Sequence, residues 1–91
     1  MTSAHDTSVV LRYFAWLREK TGLNEERITL PPGIATVGDL LRWQTTRGHP
    51  FDLAFAKPDA IRVALDHAHA KHATSISNAR EIAFFPPVTG G

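Results

Sequence analysis

The residues best placed to do chemistry lie at the end of the sequence, in Glu81-Ile82-Ala83-Phe84-Phe85-Pro86-Pro87-Val88-Thr89-Gly90-Gly91. An apolar strand runs into two prolines and then into two glycines, so the expected reactive group is a free carboxylate on Gly91. Glycine lacks Cβ and reaches conformations closed to other residues, which lets such a tail enter a narrow channel in another protein. Ordering a tail costs about 1–2 kcal/mol of backbone entropy per residue, so an anchor upstream is needed. Pro86 and Pro87, with φ fixed, bias the segment toward an extended arm projecting from the body.

Other chemistries find little support. There is no cysteine, which removes disulfides, thiolate metal ligands and thiol nucleophiles. No Ser-His-Asp set, paired carboxylates or Gly-rich phosphate loop is present. His67, His69 and His72 invite a metal reading, because imidazoles two residues apart on a strand share a face, but exposed hairpin histidines are the commoner outcome and no metal is assigned. With ten basic residues scattered among nine acidic ones, net charge +1 argues against nucleic acid as the main partner. No apolar run reaches membrane-spanning length and residues 1–8 lack a signal-peptide pattern, so a cytoplasmic location is expected.

The elements that would position the tail follow from periodicity. Ninety-one residues with 43% hydrophobic content make one globular domain with a single core. Residues 1–8 are expected to be flexible, 9–86 to form the domain and 87–91 to form the flexible tail. From Val9 the pattern alternates, with Val9, Leu11, Tyr13 and Ala15 inward. Trp16–Thr21 is a short helix stopped by Gly22, and Glu26–Leu30 a second strand with Ile28 and Leu30 inward, ended by Pro31-Pro32-Gly33. The main helix starts at an N-cap on Thr36 with Asp39 at its third position, carries Val37, Leu40 and Leu41 on one stripe, and is closed by Gly48. Gly38 suits a close backbone approach. Phe51, Leu53 and Phe55 anchor the connection to a third strand, Ile61–Leu65, with Ile61, Val63 and Leu65 inward. Asp66–Ala73 fits either a short helix or a strand and turn. Ser77–Arg80 is a turn, and Glu81–Phe85 the last strand. Phe84 and Phe85 then take opposite faces, Phe85 being the exposed one, and Trp43 falls off the helix stripe.

The run Phe84-Phe85-Pro86-Pro87-Val88-Thr89-Gly90-Gly91 resembles the C-terminal signature of the small, sulfur-carrying subunits of molybdopterin synthases, which are ubiquitin-like. The likeness extends more loosely back to Val9–Ala15. Pattern alone supports an α+β domain with a helix on a sheet. The resemblance specifies a ubiquitin-like β-grasp, a mixed sheet on one main helix with first and last strands adjacent at its centre and an extended C-terminal tail. It further implies that an activating enzyme uses ATP to adenylate Gly91, that a persulfide donor converts the adenylate to a thiocarboxylate, and that a large catalytic subunit, in a heterotetramer, passes the sulfur to a cyclic pyranopterin precursor to make molybdopterin. The chain would bind no cofactor and would not be an enzyme on its own. Gly90 would give clearance, Pro86, Pro87, Val88 and Thr89 the arm, and Phe85 a docking contact. Sulfur carriers of thiamin or cysteine synthesis, and ubiquitin-like protein modifiers, are the alternatives. Ser77-Asn78-Ala79-Arg80 and the histidine-rich 66–73 stretch depart from the family's usual pattern.

Overall fold

The computed structural model describes residues 8–87. Strand β1, Ser8–Tyr13, buries Val9, Leu11 and Tyr13 on one face, as its alternation requires. Helix α1, Trp16–Thr21, ends where Gly22 takes φ 79° and its N–H donates to the Arg18 carbonyl. Strand β2, Glu25–Thr29, returns antiparallel to β1. Ala15, expected inward, is instead exposed in the turn into α1 with φ 56°, because the strand stops at Tyr13.

Helix α2, Val37–Gln44, begins with a reciprocal cap. The Asp39 N–H donates to Thr36 Oγ1 at 3.1 Å, and the Asp39 carboxylate accepts from the backbone N–H groups of Ala35 and Thr36 at 3.1 and 3.2 Å. The Ala35 and Thr36 amides hold that carboxyl below its ordinary range. The next free helical amides are met by chain from farther on: Val37 N–H donates to the Thr74 carbonyl at 3.0 Å and Gly38 N–H to His72 at 2.8 Å. A Cβ on Gly38 would lie 3.3 Å from the His72 carbonyl oxygen, so the expected close approach is present. The helix ends earlier than Gly48 suggests. Thr45 and Thr46 hydroxyls donate to the Arg42 and Trp43 carbonyls at 2.6 and 2.7 Å, taking up the last helical acceptors, and Gly48 turns the chain farther along with φ 90°.

Helix α3, Phe51–Ala54, is one turn, followed by a 3-10 turn at Pro58–Ala60. Ala54 and Phe55 enter the core, which leaves Leu53 55% exposed rather than an anchor. Strand β3, Arg62–Leu65, turns through Asp66 and His67, both at positive φ (48° and 76°), into a short β4, Ala68–Ala70. This two-residue hairpin settles the ambiguous stretch: positive φ at both central positions suits the right-handed strand twist. The Asp66 carboxylate accepts from the Arg80 and Glu81 amides at 3.0 and 2.9 Å, fixing the start of β5, Glu81–Phe85. The sheet order is β2-β1-β5-β3-β4, with β1 and β5 parallel and every other pair antiparallel. This is the β-grasp, with the last strand at the centre.

A polar cluster runs from the core to its edge. Tyr13 Oη donates to Glu26 Oε2 at 2.6 Å and accepts from Gln44 Nε2 at 3.0 Å; Gln44 is 0% exposed. Arg47 closes the cluster with two bonds to the Glu26 carboxylate (2.6 and 2.9 Å) and one to Gln44 Oε1 (2.9 Å). Its guanidinium sits 4.1 Å from the Phe51 ring centroid and 4.9 Å from that of Trp43. Burial pushes the Tyr13 phenol up, and the Arg47 hydrogen bonds hold Glu26 down.

Replacing Arg47 with Met keeps a stem over the rings but strands the carboxylate; urea unfolding is expected to show a loss of about 2–3 kcal/mol, between exposed and fully buried pairs. Because the folded-state pKa of Glu26 lies below its unfolded value, its contribution is complete above the unfolded value and is lost as pH falls through the folded one. The stability gap between wild type and Glu26→Gln should therefore be constant near neutrality and close below about pH 4. A gap unchanged to about pH 3 would contradict the pairing.

Candidate functional site

The site is built on the exit end of β5. That strand is hydrogen-bonded on both sides, to β1 through Val10–Tyr13 and to β3 through Arg62–Leu65. Its alternation drives Ile82 and Phe84 into the core and Glu81, Ala83 and Phe85 to the sheet's open face.

Phe84 is 0% exposed. Its ring stacks on Tyr13 with centroids 5.5 Å apart and meets Phe55 edge-on at 5.2 Å, while Tyr13 and Phe55 approach edge-on at 6.3 Å. This aromatic triad fixes the last turn of the ladder before Pro86, which has no N–H to continue it. The triad joins the polar cluster through Tyr13, so the exit of β5 is tied to α2 and β2 as well as to its own neighbours.

Phe85 faces the other way, as expected, but is half-buried rather than fully exposed, because the His69 ring packs edge-on against it at 5.3 Å. Pro86 and Pro87 are half-buried beside it. Val88, Thr89, Gly90 and Gly91, the remaining tail residues of the sequence reading, lie outside the described residues.

Phe14 is a site residue that sequence reasoning missed. Its N–H donates to the Phe84 carbonyl at 3.1 Å, extending the parallel ladder by one step, so Phe14 emerges on the open face next to Phe85. It is 40% exposed, with the Arg12 guanidinium 5.6 Å from its ring centroid. Arg12 is itself held by Glu25 and Glu81, each at 3.6 Å. The signal was available: the alternation that turns Tyr13 inward turns its aromatic neighbour out. The arrangement is an apolar step of Phe14, Phe85, Pro86 and Pro87 at the root of the tail, suited to seating a partner surface.

The three histidines do not gather as a set of metal ligands. His67 sits in the hairpin turn, His69 on β4 against Phe85, and His72 beside the start of α2. Among the described residues, no group of three His, Asp or Glu side chains gathers as metal ligands would, and no helix is long and apolar enough to cross a membrane.

Residues 11–91 match the ThiS family. Over 79 residues, 87% of this chain and 94% of the relative, the sequence is 34% identical to a molybdopterin synthase sulfur carrier subunit of Haemophilus influenzae. Among solved structures, SAMP1 of Haloferax volcanii, a small archaeal modifier protein, superposes with TM-score 0.65 and 29% identity, covering 92% of this chain and 99% of that one. The HVO 2177 protein of the same organism superposes with TM-score 0.67 at 24% identity, covering 100% of this chain and 94% of its own, and supports the ubiquitin-like fold.

The two aromatic faces should separate on mutation. Phe84→Ala is expected to cost about 3–5 kcal/mol in urea unfolding, the range for a buried phenylalanine, whereas Phe14→Ala should cost less than about 1 kcal/mol. Equal losses would mean that Phe14 is part of the core.

Proposed function

The chain belongs to the ThiS family, and from that premise we propose that it is the sulfur carrier of molybdopterin synthesis, with the Gly91 carboxylate as the carrying group. The observation that carries this reading is the β5 exit: a central strand clamped on both sides and by the Phe84 triad, running into half-buried Pro86-Pro87 beside the exposed Phe14. Such a platform holds the root of a tail rigidly while leaving the chemistry to residues beyond it. The relative's name, a molybdopterin synthase sulfur carrier subunit, supports the pathway.

A carboxylate is a poor electrophile, so an activating enzyme first joins Gly91 to AMP from ATP, releasing pyrophosphate. A protein persulfide attacks the acyl carbon and AMP leaves; cleavage of the resulting acyl disulfide by a second thiol frees the thiocarboxylate. The softer sulfur nucleophile then attacks a carbon of a cyclic pyranopterin precursor held by a larger catalytic subunit, which supplies the general acid and base; the oxygen substituent on that carbon leaves, and water cleaves the resulting thioester, returning the Gly91 carboxylate and leaving the sulfur on the pterin. Gly90 gives clearance in that subunit's channel, Val88 and Thr89 complete the arm, and Phe85 and Phe14 seat the platform. The proposed setting is the cytoplasm, with no cofactor resident on this chain.

A second reading is favoured by the likeness to the archaeal modifier protein: Gly91 would be joined to lysines of other proteins. Both readings share adenylation and differ in the acceptor.

The absence of cysteine makes the test clean. After incubation with ATP, a sulfur source and native-cell extract, iodoacetamide should label the Gly90-Gly91 peptide and nothing else, as mapped by mass spectrometry. Deleting Gly91 should abolish the label while leaving the urea midpoint unchanged. An unlabelled tail, with higher-mass lysine adducts in the extract, would overturn sulfur carriage and establish the modifier reading. For the platform, Phe14→Asp is expected to weaken binding to the large subunit by at least about tenfold, as for other central apolar anchors. Unchanged affinity would remove Phe14 from the interface.

A further inference from the structure

The cations differ in their partners. Arg12 is paired with Glu25 and Glu81, Arg42 with Asp39 and Arg47 with Glu26. Arg27 on β2 and, on the β3–β4 side, Arg62 and Lys71 have no ion pair among the described residues. The β3–β4 ladder ends with Val63 against Ala70, and Arg62 and Lys71 are the residues next to that last pair. Both are exposed, and among the described residues neither side chain has an ion-pair or hydrogen-bond partner.

These two cations line a cleft of about 440 Å³ together with His69, His72 and Asp59. The cleft has four cationic or protonatable groups and one carboxylate. Its size falls in the range of small-molecule sites. Arg62 offers a planar fork of donors suited to oxyanions and Lys71 a compact point charge, the combination used to hold phosphate. Both rise from backbone that is held: Arg62 is paired with Phe85 on its other side, and the Lys71 carbonyl accepts from the Thr74 N–H at 3.0 Å.

The geometry points to an oxyanion site in this cleft, which takes the phosphate group of a small phosphorylated ligand between Arg62 and Lys71, with His69 and His72 as additional donors. Asp59 also lines the cleft, where it disfavours a ligand with further negative charge and can accept from a hydroxyl. The site is separate from the tail chemistry and does not depend on the carrier reading.

The test is an amide chemical-shift titration of the 15N-labelled protein at constant ionic strength, using inorganic phosphate, then AMP, then adenosine. Saturable shifts at Arg62, Ala70 and Lys71 with phosphate and AMP are expected, with none from adenosine. Tighter binding of AMP than of phosphate would identify a nucleotide-sized ligand; equal binding would identify phosphate itself. The double variant Arg62→Gln/Lys71→Gln should weaken the interaction by at least about tenfold, the scale of one lost charge-assisted bond. Asp59→Asn should strengthen it, an effect that a merely structural role for the cleft would not produce. Shifts that stay linear in phosphate, or that persist in the double variant, would overturn the site. Saturation by a Glu-rich peptide but not by phosphate would also overturn it and assign the cations to an acidic protein surface.

Discussion

The burial of Phe84 between Tyr13 and Phe55 is the constraint on which the rest of the molecule depends. A strand has a side-chain period of two, so fixing one residue inward fixes the face of every other. With Phe84 in the core, Phe85 is turned to the open face and Phe14, one step beyond Phe84's partner Tyr13, is turned out beside it. A slip of one residue would bury Phe85, expose Phe84 and move the prolines one place along the ladder. The aromatic triad therefore sets where the tail leaves the body and which side chains flank its root.

Tyr13 makes that triad more than an apolar contact. Its ring belongs to the triad and its hydroxyl to the polar cluster, so one side chain connects β1, β2, β5 and α2. Burying a phenol, an amide and an ion pair is unfavourable unless their hydrogen bonds are met. Here the Tyr13 hydroxyl donates once and accepts from Gln44, and the Glu26 carboxylate takes two bonds from Arg47. A satisfied network has directional demands that an apolar core lacks. It places α2 at one rotation over the sheet, where hydrophobic packing alone would tolerate several.

Much of this was legible in the residues. Alternation located β1, β2, β3 and β5, the Thr36–Asp39 cap located the start of α2, and Gly22 located the end of α1. Two kinds of feature were not. The end of α2 depended on threonine hydroxyls competing for carbonyls, a local geometry that the Gly48 signal masked. The polar cluster joins residues up to 34 positions apart, and only tertiary structure brings them together. One hint did exist, since Gln44 continues the Val37-Leu40-Leu41 stripe and a polar residue on a core face must find a partner. For the candidate site, the strand exit, Phe85 and the outward face of Phe14 were legible, whereas the placing of Phe14 beside Phe85 required the parallel β1–β5 register.

That register also bears on how a carrier of this design is told apart from its relatives. Two glycines present only backbone, so a channel that accepts one Gly-Gly tail has few features by which to refuse another. On the carrier reading, discrimination among acceptor enzymes must then reside in the platform, where side chains differ. Its open face offers an aromatic step at the centre, flanked by the paired charges of Arg12, Glu25 and Glu81. Apolar contact at the step supplies binding energy that any partner with a matching pocket can use, while the paired charges beside it fix orientation and penalise the wrong surface. The strand that delivers the tail thus also divides the face that selects its destination.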